Sequence, residues 1–444
     1  MIDGVQLVEN GTWTPLSKVL PNSDPERAYR GMRLLGLRLK DNLKLRNTPF
    51  EFRTAASGEM DVRVSGIAGS VNVMGKSIDV VPKFVFGDHS ISNWQASMVL
   101  LMQHASLKHV HLSRTNLLSA GKERFVDLIA LAFLDSVRLS LATQLIKLYR
   151  TEAVSRPSLS GRLNVIRQAR SFWARPHLIE CDVDRLVPEN RFNSLLKWAC
   201  LALSRSVVRP DLRVSLMDCY HRFPGRPMVL SRGQSIVGAL PPQYHSWHNS
   251  LVLAELVCAG LSLSSSKGNN SGFSFAFNME RVFERFVELR LQSIVSSLGS
   301  ACRVKPQVST LYAFPVDGEG RGFFSKPDNV LYDGDVPIMV IDAKYKRLSD
   351  SQGSSNRQPV SSDVYEAVAA MTAQKCGFGL LVYPRIAGDT LLRDGSLRSW
   401  KIVTESRHLI VGAVGIDIAS IAKPGGLNSL DRDLVDSVKQ LLAQ

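Results

Sequence analysis

Paired cysteines, long apolar runs and a nucleotide-binding loop are all missing from this 444-residue chain. Its six cysteines, Cys181, Cys200, Cys219, Cys258, Cys302 and Cys376, are scattered with no C-x-x-C spacing. That argues against a zinc site or a disulfide framework and for reduced thiols in a cytoplasmic protein. No apolar run approaches the roughly 18 residues that span a bilayer. The start, Met1-Ile2-Asp3-Gly4-Val5, lacks the basic and apolar regions of a signal peptide, so no membrane association is expected. G-x-S-x-G is absent, which removes the motif of a serine hydrolase. Gly69 to Gly75-Lys76-Ser77 comes close to a P-loop, but five residues separate the glycines where that motif has four. Its context reads strand–turn–strand, so a hairpin tip is expected there. No internal repeat is visible.

What is present is a globular composition, 45% hydrophobic and 21% charged, with a net charge of +14. The length predicts two or three domains. The basic excess points to a polyanionic partner, although a merely basic surface gives the same number. We read residues 1–90 as β-rich and built of hairpins, because 62–67, 70–74 and 78–83 alternate as strands do. Residues 91–262 read as mostly helical, with helices over 93–102, 125–134, 189–203 and 250–261. Arg156–Leu163 reads as a loop, and the Ser/Gly/Asn-rich stretch 262–272 as a linker or a long surface loop. Residues 273–444 read as α/β around a mixed sheet: a helix over Met279–Leu298, a hairpin, a helix capped by Ser361-Ser362-Asp363, and buried strands at 380–384 and 409–414.

The hairpin carries the chemistry. Ser325-Lys326-Pro327-Asp328 is followed, across an Asp333-Gly334 turn signal, by Ile338-Met339-Val340-Ile341-Asp342-Ala343-Lys344. Folding back at that turn brings Asp328 nearly opposite Asp342. Asp342 and Lys344, two apart on one strand, share a face. Two carboxylates can hold Mg²⁺, and a lysine beside them can orient or deprotonate a water, which are the parts needed to hydrolyse a phosphodiester. Such a pattern also arises by chance, but the apolar run before Asp342 makes an unpartnered charge there costly. On the Met279–Leu298 helix, Glu280, Glu284 and Glu288 lie along one side. Glu284 is able to reach the site, or the three can form a solvated edge with Arg281, Arg285 and Arg290. Lys326, Lys346, Arg347, Arg357 and Arg385 are candidate phosphate contacts. His109, His111, His245 and His248 lack a third ligand at a metal spacing.

Pro327-Asp328, Asp342-Ala343-Lys344-Tyr345-Lys346 and Met279-Glu280-Arg281-Val282-Phe283-Glu284 together resemble the McrC family, the nuclease subunit of McrBC-type modification-dependent restriction systems. Shorter likenesses follow in the same order: Ile78 to Pro82-Lys83, Gly161-Arg162-Leu163, Glu189-Asn190-Arg191, Asp363-Val364-Tyr365 and Leu381-Val382-Tyr383-Pro384. The resemblance implies a C-terminal PD-(D/E)xK nuclease domain. In it Asp328, Asp342 and Glu284 hold Mg²⁺ and Lys344 orients the attacking water. It also implies DNA, in modified form, as substrate and an AAA+ GTPase hexamer as partner. Residues 1–90 would dock on that ring and stimulate GTP hydrolysis. Where many relatives carry Gln and Tyr four apart on the helix after the lysine, this chain has Glu366 and Ala370. Two other functions stay open: a non-catalytic activator of the GTPase, and a stand-alone repair nuclease.

Overall fold

The structure is a computed structural model that describes residues 5–85, 94–105, 124–230, 234–262, 275–316, 320–346, 358–386, 396–403 and 408–444. These gather into two compact units. One unites the described residues before 129 with those after 262; the other is Ile129–Ser262. The stretch 263–272, read as a linker, lies outside the described residues, as do His109, His111, Arg347 and Arg357.

The N-terminal part of the first unit carries the expected strands Met60–Val64, Ile67–Val73 and Lys76–Val81. The last two form a hairpin whose turn residues, Met74 and Gly75, both have positive φ (52° and 81°). That pattern suits a tight hairpin turn, whose twist matches the flanking strands. The near P-loop is therefore the tip of a hairpin. The same sheet takes in Val5–Val8, parallel to Lys76–Val81, and Phe275–Asn278 from far along the chain.

A 19-residue helix, Pro25–Leu43, also lies here and was not expected from the strand-like pattern. Asp24 caps it by accepting a hydrogen bond from the Arg27 N–H, and Pro25 occupies the first turn. Ala28, Met32, Leu35 and Leu39 are its buried stripe, packed on the apolar face of the sheet.

After residue 275 the first unit forms a six-stranded mixed sheet. Its order is Cys302–Pro306, Asn329–Asp333, Val336–Ala343, Phe378–Pro384, Leu409–Ile416, Arg398–Ile402. The three central strands run parallel and the flanking pairs antiparallel. The helix Ser361–Gln374 covers one face, where Ala367, Ala370 and Met371 meet Val340, Leu381 and Val411. Gly379 allows this approach, since a Cβ there would stand 2.7 Å from the Met371 sulfur. On the opposite face Leu441, from the helix Gly426–Leu442, packs over Gly412. The Met279–Leu298 helix has the bounds its periodicity predicts. It is tied to the C-terminal helix by Arg290, which pairs with Asp431 at 2.6 Å.

The second unit contains the helices Arg191–Ser204, Pro210–Arg222 and His248–Ser262. It also holds an antiparallel sheet in which Ile179–Val187 lies between Leu148–Arg156 and Arg162–Leu163. This sheet went unread because Leu148–Arg156 is exposed or half-exposed throughout and lacks a clean apolar alternation.

A bulky side chain at the Met74-Gly75 turn tests its conformation. Gly75→Val should cost about 1–3 kcal/mol through strain at positive φ, measured by denaturant unfolding. Nucleotide affinity should be undetectable in both the native chain and the variant.

Candidate active site

The hairpin places Asp328 and Asp342 at the same end of two neighbouring strands. Asn329 pairs with Ile341 and Val330 with Val340, so the next rung outward is Asp328 facing Asp342. The two are stitched together through the backbone. The Ala343 N–H donates to Asp328 Oδ2 at 2.9 Å, and the Asp328 N–H points at Asp342 Oδ1 at 3.4 Å. Lys344 shares the face of Asp342, as the period of two requires. Its Nζ lies 2.7 Å from Asp342 Oδ2 and 2.7 Å from Glu366 Oε2. Its own N–H donates to the Val382 carbonyl on the adjacent strand at 2.8 Å.

These groups line one cavity of about 490 Å³. Glu280 and Glu284 reach it from the Met279–Leu298 helix, and Asp363 and Glu366 from the helix over the sheet. The cations on its wall are Arg46, Lys326, Lys344 and Lys346. Glu288, by contrast, pairs with Arg285, and Arg385 binds the Gly415 carbonyl and pairs with Asp433. The acidic helix edge thus divides, with Glu280 and Glu284 at the cavity and Glu288 paired with Arg285.

Burial, and after it the crowding of carboxylates, sets the electrostatics. Asp328 is pushed up to about 8, first by burial and then by the Asp342 charge and hydrogen bond. Glu284 is also raised, by burial and by Glu280 and Asp342. Burial works against the Lys344 charge, but Asp342 and Glu366 more than offset it and hold the ammonium above the usual lysine range. Lys344 is therefore held as a cation at neutral pH.

Among the described residues no group of three or more His, Cys, Asp or Glu side chains stands close enough to enclose a metal ion. Asp328 and Asp342 nonetheless suit a hard divalent cation. Both are oxygen donors, and a cation held there would lower the cost of ionising the second. Mg²⁺ characteristically uses only one or two carboxylates, filling its other positions with water and substrate phosphate.

Several site residues escaped the sequence reading. Asp363 caps nothing: the helix starts from Val360 without a side-chain cap. Asp363 is instead buried, accepting from the Tyr383 hydroxyl at 2.8 Å and from Lys346. Burial and the Asp363 charge raise the Tyr383 pKa, so its phenol remains a donor. Arg46, just beyond the unread N-terminal helix, carried no motif. Ala370 lines the cavity and Glu366 binds the catalytic lysine candidate, so the departure from the Gln/Tyr pattern falls directly on this site.

The raised Asp328 has a consequence for stability. The folded chain keeps a proton on Asp328 that the unfolded chain has released between about pH 4 and pH 8, so this contribution to stability falls as pH rises across that window. Metal-free Asp328→Asn should lose less stability than the native chain between pH 5 and pH 8. Urea midpoints at each pH check this.

The sequence matches the family described as McrBC 5-methylcytosine restriction system component over residues 62–384. No curated protein matches it. The fold is similar to a chain in the refined half-complex from a tetradecameric assembly of Thermococcus gammatolerans McrB AAA+ hexamers with bound McrC. The TM-score is 0.71 at 15% identity, covering 98% of this chain and 99% of that one. A chain in the cryo-EM structure of the Thermococcus gammatolerans McrBC complex aligns at TM-score 0.49 and 14% identity, over 65% of this chain and 87% of that one. With the family match spanning well over half of its length, this chain belongs to the McrBC 5-methylcytosine restriction system component family.

Proposed function

We propose that this chain is the Mg²⁺-dependent DNA endonuclease subunit of a restriction complex, cutting phosphodiesters together with an AAA+ GTPase hexamer. The observation that carries the reading is the Asp328–Asp342 pair with Lys344 beside it, at the end of a hairpin and inside one cavity. This is a PD-(D/E)xK arrangement in which Asp328 and Asp342 hold the ion and Glu284 adds an acidic group from the helix.

Bound there, Mg²⁺ supplies charge against the scissile phosphate and lowers the pKa of a nearby water. The chain's own groups do the rest. Lys344, held charged by Asp342 and Glu366, orients the attacking water and offsets negative charge growing on the phosphate. Arg46, Lys326 and Lys346 contact neighbouring phosphates and fix the strand in place without reading its sequence. Asp363 and Tyr383 steady Lys346 for that contact.

The partner follows from the family and from the neighbouring fold, which was solved with McrB AAA+ hexamers. In this reading the N-terminal sheet docks on the GTPase ring and stimulates its hydrolysis. The net charge of +14 suits a subunit that works on DNA.

The test uses the purified chain, its GTPase partner, GTP, Mg²⁺ and DNA bearing 5-methylcytosine. Asp342→Ala and Lys344→Ala should each lower strand cleavage by about 10²-fold or more, while stimulated GTP turnover stays at the native level. Cleavage that survives both changes overturns the site. GTP turnover without strand breaks by the native chain identifies an activator of the GTPase instead.

A further inference from the structure

Behind Lys344 lies a buried polar cluster that joins the N-terminal sheet to the site. Glu9 follows the strand Val5–Val8 and is 1% exposed; Lys83 follows Lys76–Val81 and is 6% exposed. One Glu9 oxygen accepts from the Gly66 N–H at 3.1 Å. The other accepts from the Lys83 N–H at 3.2 Å and the Tyr345 hydroxyl at 2.7 Å. Lys83 Nζ donates to the Tyr345 carbonyl at 2.9 Å, sits 3.9 Å from the centre of the Tyr345 ring, and lies 3.8 Å from Glu9 Oε1. Tyr345 is thus gripped at its hydroxyl, its ring face and its backbone, and Tyr345 is the residue after Lys344.

We propose that Glu9 and Lys83 are positioning residues for Lys344, so that the N-terminal sheet is a structural part of the nuclease site as well as a docking platform; the proposal rests on the nuclease reading above. Lys344 is held from two directions. The strand Phe378–Pro384 takes its N–H through the Val382 carbonyl, and the Glu9–Lys83 clamp fixes the next residue. Free of either hold, a chain leaving the end of its strand would let the ammonium swing away from Asp342.

The make-up of the cluster argues the same way. Burying an ion pair is costly, and apolar residues of equal volume stabilise a core at least as well. Burial indeed pulls the Lys83 pKa below the usual lysine range, with Glu9 opposing it. What the pair supplies that apolar packing cannot is direction. The Lys83 ammonium donates to the Tyr345 carbonyl, and the Glu9 carboxylate, anchored by two backbone N–H groups, takes the Tyr345 hydroxyl. An offset of about 1 Å at a reacting group costs on the order of 10²-fold in rate, so movement of the N-terminal strands would register at Lys344. Docking on that sheet and cleavage at the cavity are thereby mechanically linked.

The experiment uses the full chain with its GTPase partner and compares Tyr345→Phe, Lys83→Met and Glu9→Gln. Backbone hydrogen exchange is read at Lys344 and Lys346, whose N–H groups bond to the Val382 and Lys344 carbonyls. Exchange there should speed up about tenfold, with Val340 and Ile341 in the strand interior unchanged. Cleavage kcat should fall about tenfold to a hundredfold, with KM for DNA and stimulated GTP turnover preserved. Unchanged exchange at Lys344 and Lys346, or cleavage that falls only in step with GTP turnover, overturns the proposal. Should Lys83→Met fail to fold, Tyr345→Phe removes a single hydroxyl and carries the test. Asp342→Ala measured alongside separates the two ideas. If it still cuts, the nuclease reading fails. If it is inactive while the clamp variants cut at the native rate, only the positioning claim fails.

Discussion

Two carboxylates, Asp328 and Asp342, are forced to face each other across adjacent antiparallel strands, and the surrounding structure answers that repulsion. Burial and then the Asp342 charge keep a proton on Asp328 up to about pH 8, and the Lys344 ammonium sits against Asp342. Under the proposed function, a divalent cation held by Asp328 and Asp342 would offset both charges. The register is what makes them meet: a slip of one residue would carry Asp328 off the rung of Asp342.

The scaffold keeps this arrangement stiff. The carboxylates and the lysine sit at the ends of buried strands, with the Ser361–Gln374 helix packed on one face of the sheet. Gly379 lets this helix approach closely enough for Glu366 to reach Lys344 and for Asp363 to hold Lys346. On the other side of Lys344, Glu9 and Lys83 fix Tyr345 from the N-terminal sheet. Functional groups on strands supported by a second layer of hydrogen bonds are placed more accurately than groups on free loops.

Much of this was legible in the sequence because it is local. The Asp333-Gly334 turn and the alternation on either side dictate the hairpin, and with it the meeting of Asp328 and Asp342. The apolar stripe of Met279–Leu298 gave that helix its bounds and put Glu284 toward the site. What escaped is of two kinds. Some local signals were outvoted: Asp24-Pro25 marks a helix start, but the surrounding strand pattern hid it. Ser361-Ser362-Asp363 looks like a cap, yet Asp363 satisfies Tyr383 and Lys346 instead. Other features are non-local and leave no mark on neighbouring residues. Tyr345 and Glu9 are 336 positions apart, and nothing in either segment announces the other. Arg46 reaches the cavity wall for the same unreadable reason, tertiary approach rather than spacing.

The central claim is that Asp328 and Asp342 together hold a divalent ion. It is met most directly by anomalous scattering from crystals of the chain soaked in Mn²⁺. The account predicts a peak bonded to one oxygen of each carboxylate at roughly 2.0–2.3 Å, lost in Asp342→Ala crystals. Strong peaks elsewhere with none between Asp328 and Asp342 would contradict it.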